Sequence, residues 1–231
     1  LMRFFLAADG YQYDSIMTGL YWIAGLSMLL GNILALLQSS IKRLLAYSSI
    51  AQFGYLMVAF IAISELAGKH LAIEAAVFFL IAYFITTIGA FGVVTIMSDK
   101  SEDHDLDSLD AYQGLFWQRP LLAAFMSIML LSLAGIPLTA GFVGKFYILA
   151  SGVESQLWPL LVIVVIGSGI GLFYYLRVIY AMTKKAAANT DIKVPAAGGW
   201  TMAVVTLVLL VLGVYPGPVI EWVSNMALQL V

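Results

Sequence analysis

The 231-residue chain is 62% hydrophobic and 10% charged, with a formal net charge of −2 at pH 7. Soluble domains carry roughly 25% charged residues, so this chain has too few polar side chains to cover a water-soluble fold. The composition therefore predicts an integral membrane protein, in which the location of each charge matters more than the net charge.

Six apolar segments are long enough to cross a bilayer as helices, since about 20 helical residues suffice. They are predicted near residues 16–38, 42–64, 72–97, 120–150, 156–182 and 199–227. These continuous runs exclude a strand barrel, whose segments alternate over about ten residues. We therefore predict an all-α polytopic transmembrane bundle that forms a single membrane domain over residues 1–231. Because the chain begins at Leu1 rather than methionine, we expect a fragment whose earlier membrane segments are missing.

The fourth segment is too long for a simple span and contains helix-breaking residues. Its 31 residues would extend about 46 Å as one helix, against a hydrocarbon core of about 30 Å. Gly135, Pro137, Gly141 and Gly144 favour a hinge, because proline removes a backbone donor and glycine tolerates unwound backbone. We predict two half-helices near 121–134 and 140–150, with the irregular backbone lining a polar interior.

Lysine and arginine are distributed unequally between the two predicted sides. One side carries Lys42, Arg43, Lys100, Arg119, Lys184, Lys185 and Lys193. The opposite side carries Arg3 and Lys69. Cytoplasmic loops are enriched in these residues, so the first side should face the cytoplasm, or the matrix in an organelle, and both termini should lie outside.

Lys145 lies within the second predicted half-helix, about two turns from the outer polar boundary. An ammonium at the centre of a membrane costs at least about 2.5–3.5 kcal/mol, and such residues usually face the bundle interior and serve ion or proton paths. The alternative is a lysine whose head extends to the outer headgroups. The neighbouring break favours the interior position, so we assign Lys145 to proton translocation.

A polar stripe opens the second segment. Ser48, Gln52 and Tyr55 recur at i, i+4 and i+7 and therefore share one helix face. They either bond to neighbouring helices or hold water for proton transfer, and the sequence does not separate the two. Lys42 precedes this stripe, where it fits an inside-positive anchor as well as the polar path.

Weaker polar candidates lie in the third and fifth segments. Tyr83, Thr86 and Thr87 form a second stripe. Glu74 fits the positive end of the helix dipole, or alternatively a carboxylate at the mouth of a proton path. Arg177, one turn from Tyr174, either extends to the inner headgroups or acts as a fixed cation that tunes a lysine.

Several kinds of site are disfavoured. The chain has no cysteine, which excludes disulfides, thiolate zinc sites and cysteine nucleophiles, and its two histidines do not suggest a metal site. The run "GSGIG", residues 167–171, is not a dinucleotide fingerprint because no strand precedes it. Gly167 and Gly171 instead form a small-xxx-small pair, which predicts close helix packing.

Two of these motifs stand together in a known family. The stretches "KRLLAYSSIAQFGY" and "LAGIPLTAGFVGKFYILA" resemble the antiporter-like membrane subunits of respiratory complex I, NADH-quinone oxidoreductase. That family is related to Mrp-type cation/proton antiporters. The resemblance runs along essentially the whole chain, and it implies the second of two inverted five-helix repeats plus a final helix.

The resemblance also implies a function and its location. Lys145 matches the family's lysine on the broken helix, which is assigned to the outward proton path, whereas Gln52 stands where the family often has a histidine. The expected activity is proton translocation in a bacterial inner membrane, as one subunit of an enzyme that couples NADH oxidation by quinone to pumping. A monovalent cation/proton antiporter subunit and a non-transporting structural subunit are the alternatives.

The same resemblance sets the expected partners. No cofactor or metal is expected on this chain, because NADH, FMN, iron–sulfur clusters and quinone belong to partner subunits. Its expected partners are other membrane-arm subunits, the lipid bilayer, protons and water. No nucleic acid is expected to bind.

Overall fold

The computed structural model describes residues 10–64, 69–98, 107–185 and 196–228, and within these ranges the chain is helical without a β-strand. Its principal helices are α1 (Asp14–Leu36), α2 (Ile41–Ala62), α3 (Lys69–Ser98), α4 (Pro120–Ala134), α5 (Ala140–Glu154), α6 (Trp158–Thr183), α7 (Ala196–Val214) and α8 (Gly217–Leu228). Short one-turn helices lie at Gly10–Gln12, Leu109–Tyr112 and Leu115–Gln118.

Five of these helices, α1, α2, α3, α6 and α7, are long and apolar enough to cross a membrane. The prediction of an all-α membrane bundle is therefore confirmed at this level. Helix α4 is apolar but has only 15 residues, and α5, which follows after a five-residue gap, has the same length.

The last predicted segment, 199–227, is not one continuous helix. Helix α7 ends at Val214, and α8 begins at Gly217. Pro216 accounts for the interruption, because a proline disfavours helical backbone at the residue before it, here Tyr215, and has no N–H of its own. The carbonyl of Pro216 then accepts from the N–H groups of Val219 and Ile220, which starts α8.

Helix α3 lies at the centre of the bundle and packs against α2, α4, α5, α7 and α8. Its own Phe78 and the Met126 and Met129 side chains of α4 are among the large buried residues of this core. The outward faces carry exposed apolar side chains, such as Trp22, Phe53 and Leu207. Exposed apolar side chains on this scale are typical of a surface that contacts lipid. Helix α5 is adjacent to α2, α3, α4, α6 and α7, so the lysine that it carries is enclosed by the bundle.

Candidate functional site

The site is built on the break between α4 and α5. Gly135 adopts left-handed backbone with φ of 84°, which glycine tolerates because it has no Cβ. Its N–H donates to the carbonyl of Ser132 at 3.0 Å, and the N–H of Ile136 donates to Leu131 at 3.1 Å. This is the common glycine-terminated helix end, and Pro137 beyond it cannot continue the helix. Within the described part of the chain, no backbone N–H donates to the carbonyls of Leu133 and Ala134.

Lys145 fills this gap. Its side chain is 7% exposed, and Nζ donates to the carbonyl of Leu133 at 2.9 Å and to that of Ala134 at 3.0 Å. Side chains lean towards the N-terminus of their own helix, which directs Lys145 from α5 back to the break. The carbonyl end of α4 is the negative end of its dipole, so it stabilises the ammonium. A Cβ at Gly135 would lie 2.9 Å from Cδ of Lys145, so a larger residue there would obstruct the lysine.

The start of α5 is held by hydroxyl groups. Thr139 Oγ1 accepts from the N–H of Phe142 at 3.4 Å, and Ser132 Oγ accepts from the N–H of Gly141 at 3.1 Å. Thr86 Oγ1, which donates to the carbonyl of Ala82 at 2.6 Å, lies 3.2 Å from Ser132 Oγ. Since Thr86 has one proton, Ser132 donates to Thr86. The break is therefore tied to α3.

The predicted glycine hinge is needed for space as well as for backbone freedom. A Cβ at Gly141 would overlap the carbonyl oxygen of Ser132, and one at Gly144 would lie 3.0 Å from Cα of Phe79. The first contact leaves no room for a side chain at Gly141, and the second would require the backbone of α3 to shift slightly to admit one at Gly144. The two helix ends and α3 approach each other only because these residues are glycines.

Gln52 donates a hydrogen bond to the carbonyl of Leu133, which also accepts from Lys145. Its Nε2 donates to Leu133 O at 3.1 Å, and its side chain is 4% exposed. A cavity of roughly 10 Å³ lies beside Lys145, and its lining includes polar side chains. These are Gln52, Tyr83, Thr86 and Ser132. A polar space of about this size is near the minimum for one water molecule.

Gln52 is expected to support Lys145 without replacing it. In the assembled full-length complex, Gln52→Leu should lower NADH-driven proton pumping roughly two- to tenfold, the range of one net hydrogen bond. Gln52→His should retain more activity, because a ring N–H can donate to Leu133 O. The measurement is fluorescence quenching of a ΔpH dye in inverted vesicles. A leucine variant that pumps at the parent rate would show that this hydrogen bond is dispensable.

The aromatic ring of Tyr55 faces the ammonium of Lys145. Nζ of Lys145 lies 5.0 Å from the centroid of the Tyr55 ring, within the range of a cation–π interaction. The Tyr55 hydroxyl accepts from Nδ2 of Asn32 at 3.0 Å, and the Tyr174 hydroxyl donates to Oδ1 of Asn32 at 3.0 Å. The polar pattern did not single out Asn32, although it is the only amide in the apolar helix α1.

Several other predicted residues lie near this network or away from it. Ser48 is buried and donates to Leu45 O of its own helix, and its side chain faces the hydroxyl of Tyr175. Lys42 lies in the first turn of α2, ten residues before Gln52 and hence about 15 Å away along the axis. The structure therefore does not bring Lys42 to Lys145.

Two of the predicted placements on α3 need correction. Helix α3 already includes Lys69, so Glu74 is past its first turn; it pairs with Nδ1 of His70 at 3.2 Å instead of meeting the helix dipole. Of the adjacent threonines, Thr86 faces the site. The hydroxyl of Thr87 is buried and has no hydrogen-bond partner within the described part of the chain. Successive helical residues differ by about 100° in direction, which separates this pair.

Arg177 binds the end of α1 rather than the lysine. Nη1 donates to Leu36 O at 3.0 Å, and Nη2 donates to Gln38 O. These carbonyls belong to the unpaired C-terminal turn, where a cation is favourable. The structure thus gives Arg177 a capping role in place of the predicted headgroup contact.

Removing that cap should destabilise the subunit. Arg177→Leu is expected to lower the free energy of unfolding by about 1.5–3 kcal/mol, because hydrogen bonds from a charged donor to partly buried carbonyls are lost. Arg177→Lys should recover part of the lost stability because it keeps the positive charge. The recovery should be incomplete because an ammonium lacks the planar guanidinium that reaches both carbonyls. The thermal dissociation midpoint of the detergent-solubilised complex measures the effect. Arg43→Leu, which alters an exposed cation, should leave that midpoint unchanged.

The described residues contain no group of three or more histidine, aspartate or glutamate side chains that could hold a metal ion. The chemistry that these residues supply is therefore that of one ammonium, two backbone carbonyls, an amide and several hydroxyls. Such a set can hold a positive charge and hydrogen-bond water.

Comparison with known proteins places this arrangement in a family. Residues 1–171 match the family described as NADH:quinone oxidoreductase/Mrp antiporter, transmembrane. The chain is 48% identical to NADH-quinone oxidoreductase subunit N of Methylococcus capsulatus over 97% of its own length and 45% of the relative's. It is 52% identical to subunit N of Ectopseudomonas mendocina over 89% of its length and 42% of that relative's.

A solved structure agrees with this similarity. A chain of respiratory complex I from Thermus thermophilus, solved with bound aureothin, matches 88% of this chain and 45% of its own length, with a TM-score of 0.77 and 32% identity. The chain thus spans less than half the length of these relatives. Because the family match covers most of its residues, the chain belongs to the NADH:quinone oxidoreductase/Mrp antiporter family of transmembrane proteins.

Proposed function

We propose that this chain is the second half of a proton-translocating subunit of NADH-quinone oxidoreductase, of the subunit N type. The observation that carries the proposal is the buried ammonium of Lys145 on the free carbonyls of Leu133 and Ala134. Relatives of about 50% identity named subunit N favour this assignment over a monovalent cation/proton antiporter of the Mrp kind.

In the proposed mechanism, Lys145 alternates between its protonated and neutral forms. The protonated form is held by the negative end of α4 and by the Tyr55 ring. Water in the small cavity beside Gln52 and Thr86 would take up or deliver the proton. Titrating groups elsewhere in the complex would shift the balance between the two forms, as coupled sites do.

The proposed membrane topology has six spans. Helices α4 and α5 have 15 residues each, or about 22 Å, so neither crosses a core of about 30 Å alone, whereas the two in series can. Helices α7 and α8 together would form the last span. The excess of lysine and arginine on one side supports a cytoplasmic location for that side, with both ends of this chain outside the bacterial inner membrane.

We assign no redox chemistry to this chain. NADH, FMN, iron–sulfur clusters and quinone would bind partner subunits, and this chain would contact other membrane-arm subunits and lipid. The polar path would include Ser48, Gln52, Tyr55, Tyr83 and Tyr174, whose side chains lie around Lys145 or its neighbours. Lys42 and Glu74 are left as candidates for the ends of the path, whereas Thr87, beside Thr86 but turned away from the site, is left out of it.

The test is a transport assay of the full-length subunit in its complete complex. Inverted vesicles from cells that carry or lack the gene are compared for NADH-driven acidification and for sodium-driven proton flux without NADH. The proposal requires NADH-driven acidification that depends on the gene and persists without sodium. Proton flux that depends on sodium and not on NADH would instead establish the antiporter.

A further inference from the structure

Helix α1 contributes one buried amide to the polar interior. Asn32 is 1% exposed, and its side-chain amide makes three hydrogen bonds, two through Nδ2 and one through Oδ1. Nδ2 donates to Met28 O at 2.7 Å and to the Tyr55 hydroxyl at 3.0 Å, and Oδ1 accepts from the Tyr174 hydroxyl at 3.0 Å. A buried amide with three such hydrogen bonds fixes its neighbours, because each broken bond would leave a buried polar group unpaired.

The direction of these hydrogen bonds follows from the chemistry of the partners. A backbone carbonyl only accepts, so the atom of Asn32 that lies 2.7 Å from Met28 O is the nitrogen. The amide therefore donates to Tyr55 and accepts from Tyr174. An amide neither gains nor loses a proton near neutral pH, so Asn32 acts through the two tyrosines and carries no proton itself.

Helix α6 leaves space for this bridge. A Cβ at Gly167 would lie 2.8 Å from Asn32 Nδ2 and 2.8 Å from the Tyr55 hydroxyl. A Cβ at Gly169, two residues on, would meet nothing within 4 Å. The glycine pattern that predicts close helix packing thus also makes room at Gly167 for a side-chain amide.

The bridge sets the position of the ring that faces the lysine. The Tyr55 hydroxyl is anchored on Asn32, and the ring attached to it presents its face to Nζ of Lys145 at 5.0 Å. A cation–π contact depends on where the ring face lies. Displacing the hydroxyl would therefore change the stabilisation of the ammonium without touching Lys145.

We propose that Asn32 is a positioning residue of the Lys145 site, which holds the Tyr55 ring against the ammonium and ties Tyr174 to the same point. This rests on the proposed function of Lys145. A merely structural role for Asn32 would alter stability and assembly. A positioning role also alters the pH at which the lysine changes its charge.

The experiment uses Asn32→Leu, of similar volume and without polar atoms, in the full-length subunit of the assembled complex. The NADH-driven pumping rate per assembled complex is measured against pH. Since the ring face stabilises the charged form, its loss lets the ammonium release its proton at lower pH. The alkaline limb of the profile should move towards acid by roughly 0.5 to 1 pH unit. Ser127→Ala, a buried hydroxyl that donates only to Ala123 O in its own helix, should leave the limb in place.

A second variant keeps the test decisive if Asn32→Leu fails to assemble. Tyr55→Phe keeps the ring and removes the hydroxyl that Asn32 grips, so it should move the limb in the same direction. The double variant should shift it no further than the larger single shift, because both changes break one linkage. A limb that stays in place in Tyr55→Phe, or single shifts that add in full, would overturn the inference. If the positioning role of Asn32 is overturned but Lys145→Ala still lowers pumping, the proposed function of Lys145 stands. If Lys145→Ala pumps normally, the positioning role and the proposed function both fail.

Discussion

Replacing Lys145 with methionine in the full-length subunit of the assembled complex is expected to lower NADH-driven proton pumping at least about tenfold, which is less than the roughly 10²–10⁴-fold that a positioned proton-transferring group typically contributes. Methionine has a similar length and no charge, so the side chain still fills the space beside Gly135. The carbonyl of Ala134 loses the Lys145 donor, that of Leu133 keeps only the bond from Gln52, and the ammonium that faced the Tyr55 ring is gone. Pumping and NADH oxidation should be measured on the same vesicles.

The matched control for this experiment is Lys185→Met, which removes an exposed lysine after the end of α6. It should pump at the parent rate, because surface cations of this kind contribute little to a buried site. Parent-like pumping with an unchanged ratio of protons to electrons in Lys145→Met would contradict the proposed role. It would favour the alternative in which the chain is a structural subunit of the membrane arm.

The sequence predicts an interruption near Pro137 and an interior lysine beside it, because each expectation follows from local chemistry. Pro137 and the neighbouring glycines disfavour continuous helix whatever surrounds them. A lysine in an apolar segment requires a polar partner in the interior. The predicted half-helices near 121–134 and 140–150 correspond to the observed helices Pro120–Ala134 and Ala140–Glu154.

The partners of the lysine could not be predicted in the same way. The carbonyls of Leu133 and Ala134 carry no sequence signal, because every residue has a carbonyl, and only the geometry of the helix end leaves these two unpaired. Asn32 is separated from Tyr55 by 23 positions and from Tyr174 by 142, so their contact depends on how α1, α2 and α6 pack. Polar periodicity within one helix does not contain that information.

The errors on α3 and α7 have similar physical causes. Hydropathy places a helix end where polar residues begin, yet α3 includes Lys69 and His70, whose polar heads suit the first turn of a membrane helix. The apolar run 199–227 hides a break because Tyr215 and Val219 are themselves apolar, while Pro216 interrupts the backbone hydrogen bonds. Pro137 has glycines nearby that also disfavour helix, whereas Pro216 interrupts the helix within an apolar run.

The break and the lysine depend on each other. Without Lys145 and Gln52, the end of α4 would expose two carbonyls to an apolar interior, and an unsatisfied group there costs several kcal/mol. Without the break, the ammonium would have no free acceptor, since carbonyls inside a helix are already bonded. This mutual dependence explains why Lys145 lies one and a half turns into α5, from where its side chain reaches back to α4.

The second large effect is expected for Gly141→Ala. An added Cβ would overlap the carbonyl oxygen of Ser132, so the start of α5 must move away from the end of α4. Forcing extra atoms into a packed interior typically costs about 1–3 kcal/mol, and this overlap involves rigid backbone rather than a flexible side chain. The hydrogen bond from Gly141 N–H to Ser132 Oγ at 3.1 Å would also lengthen. We expect a lower thermal dissociation midpoint of the complex and a loss of pumping in the fraction that assembles.

Gly169→Ala is the matched control, because it makes the same chemical change in α6 where a Cβ meets nothing within 4 Å. Alanine is favoured over glycine inside a helix by up to about 1 kcal/mol, so this variant should be as stable as the parent or more so. The difference between the two variants isolates the close approach at the break from the general effect of replacing a glycine. If Gly141→Ala matched Gly169→Ala in both midpoint and pumping, the ends of α4 and α5 would not be held together as the structure shows. The carbonyls of Leu133 and Ala134 would then lose their fixed position relative to Lys145, and the proposed mechanism would lose its geometric basis.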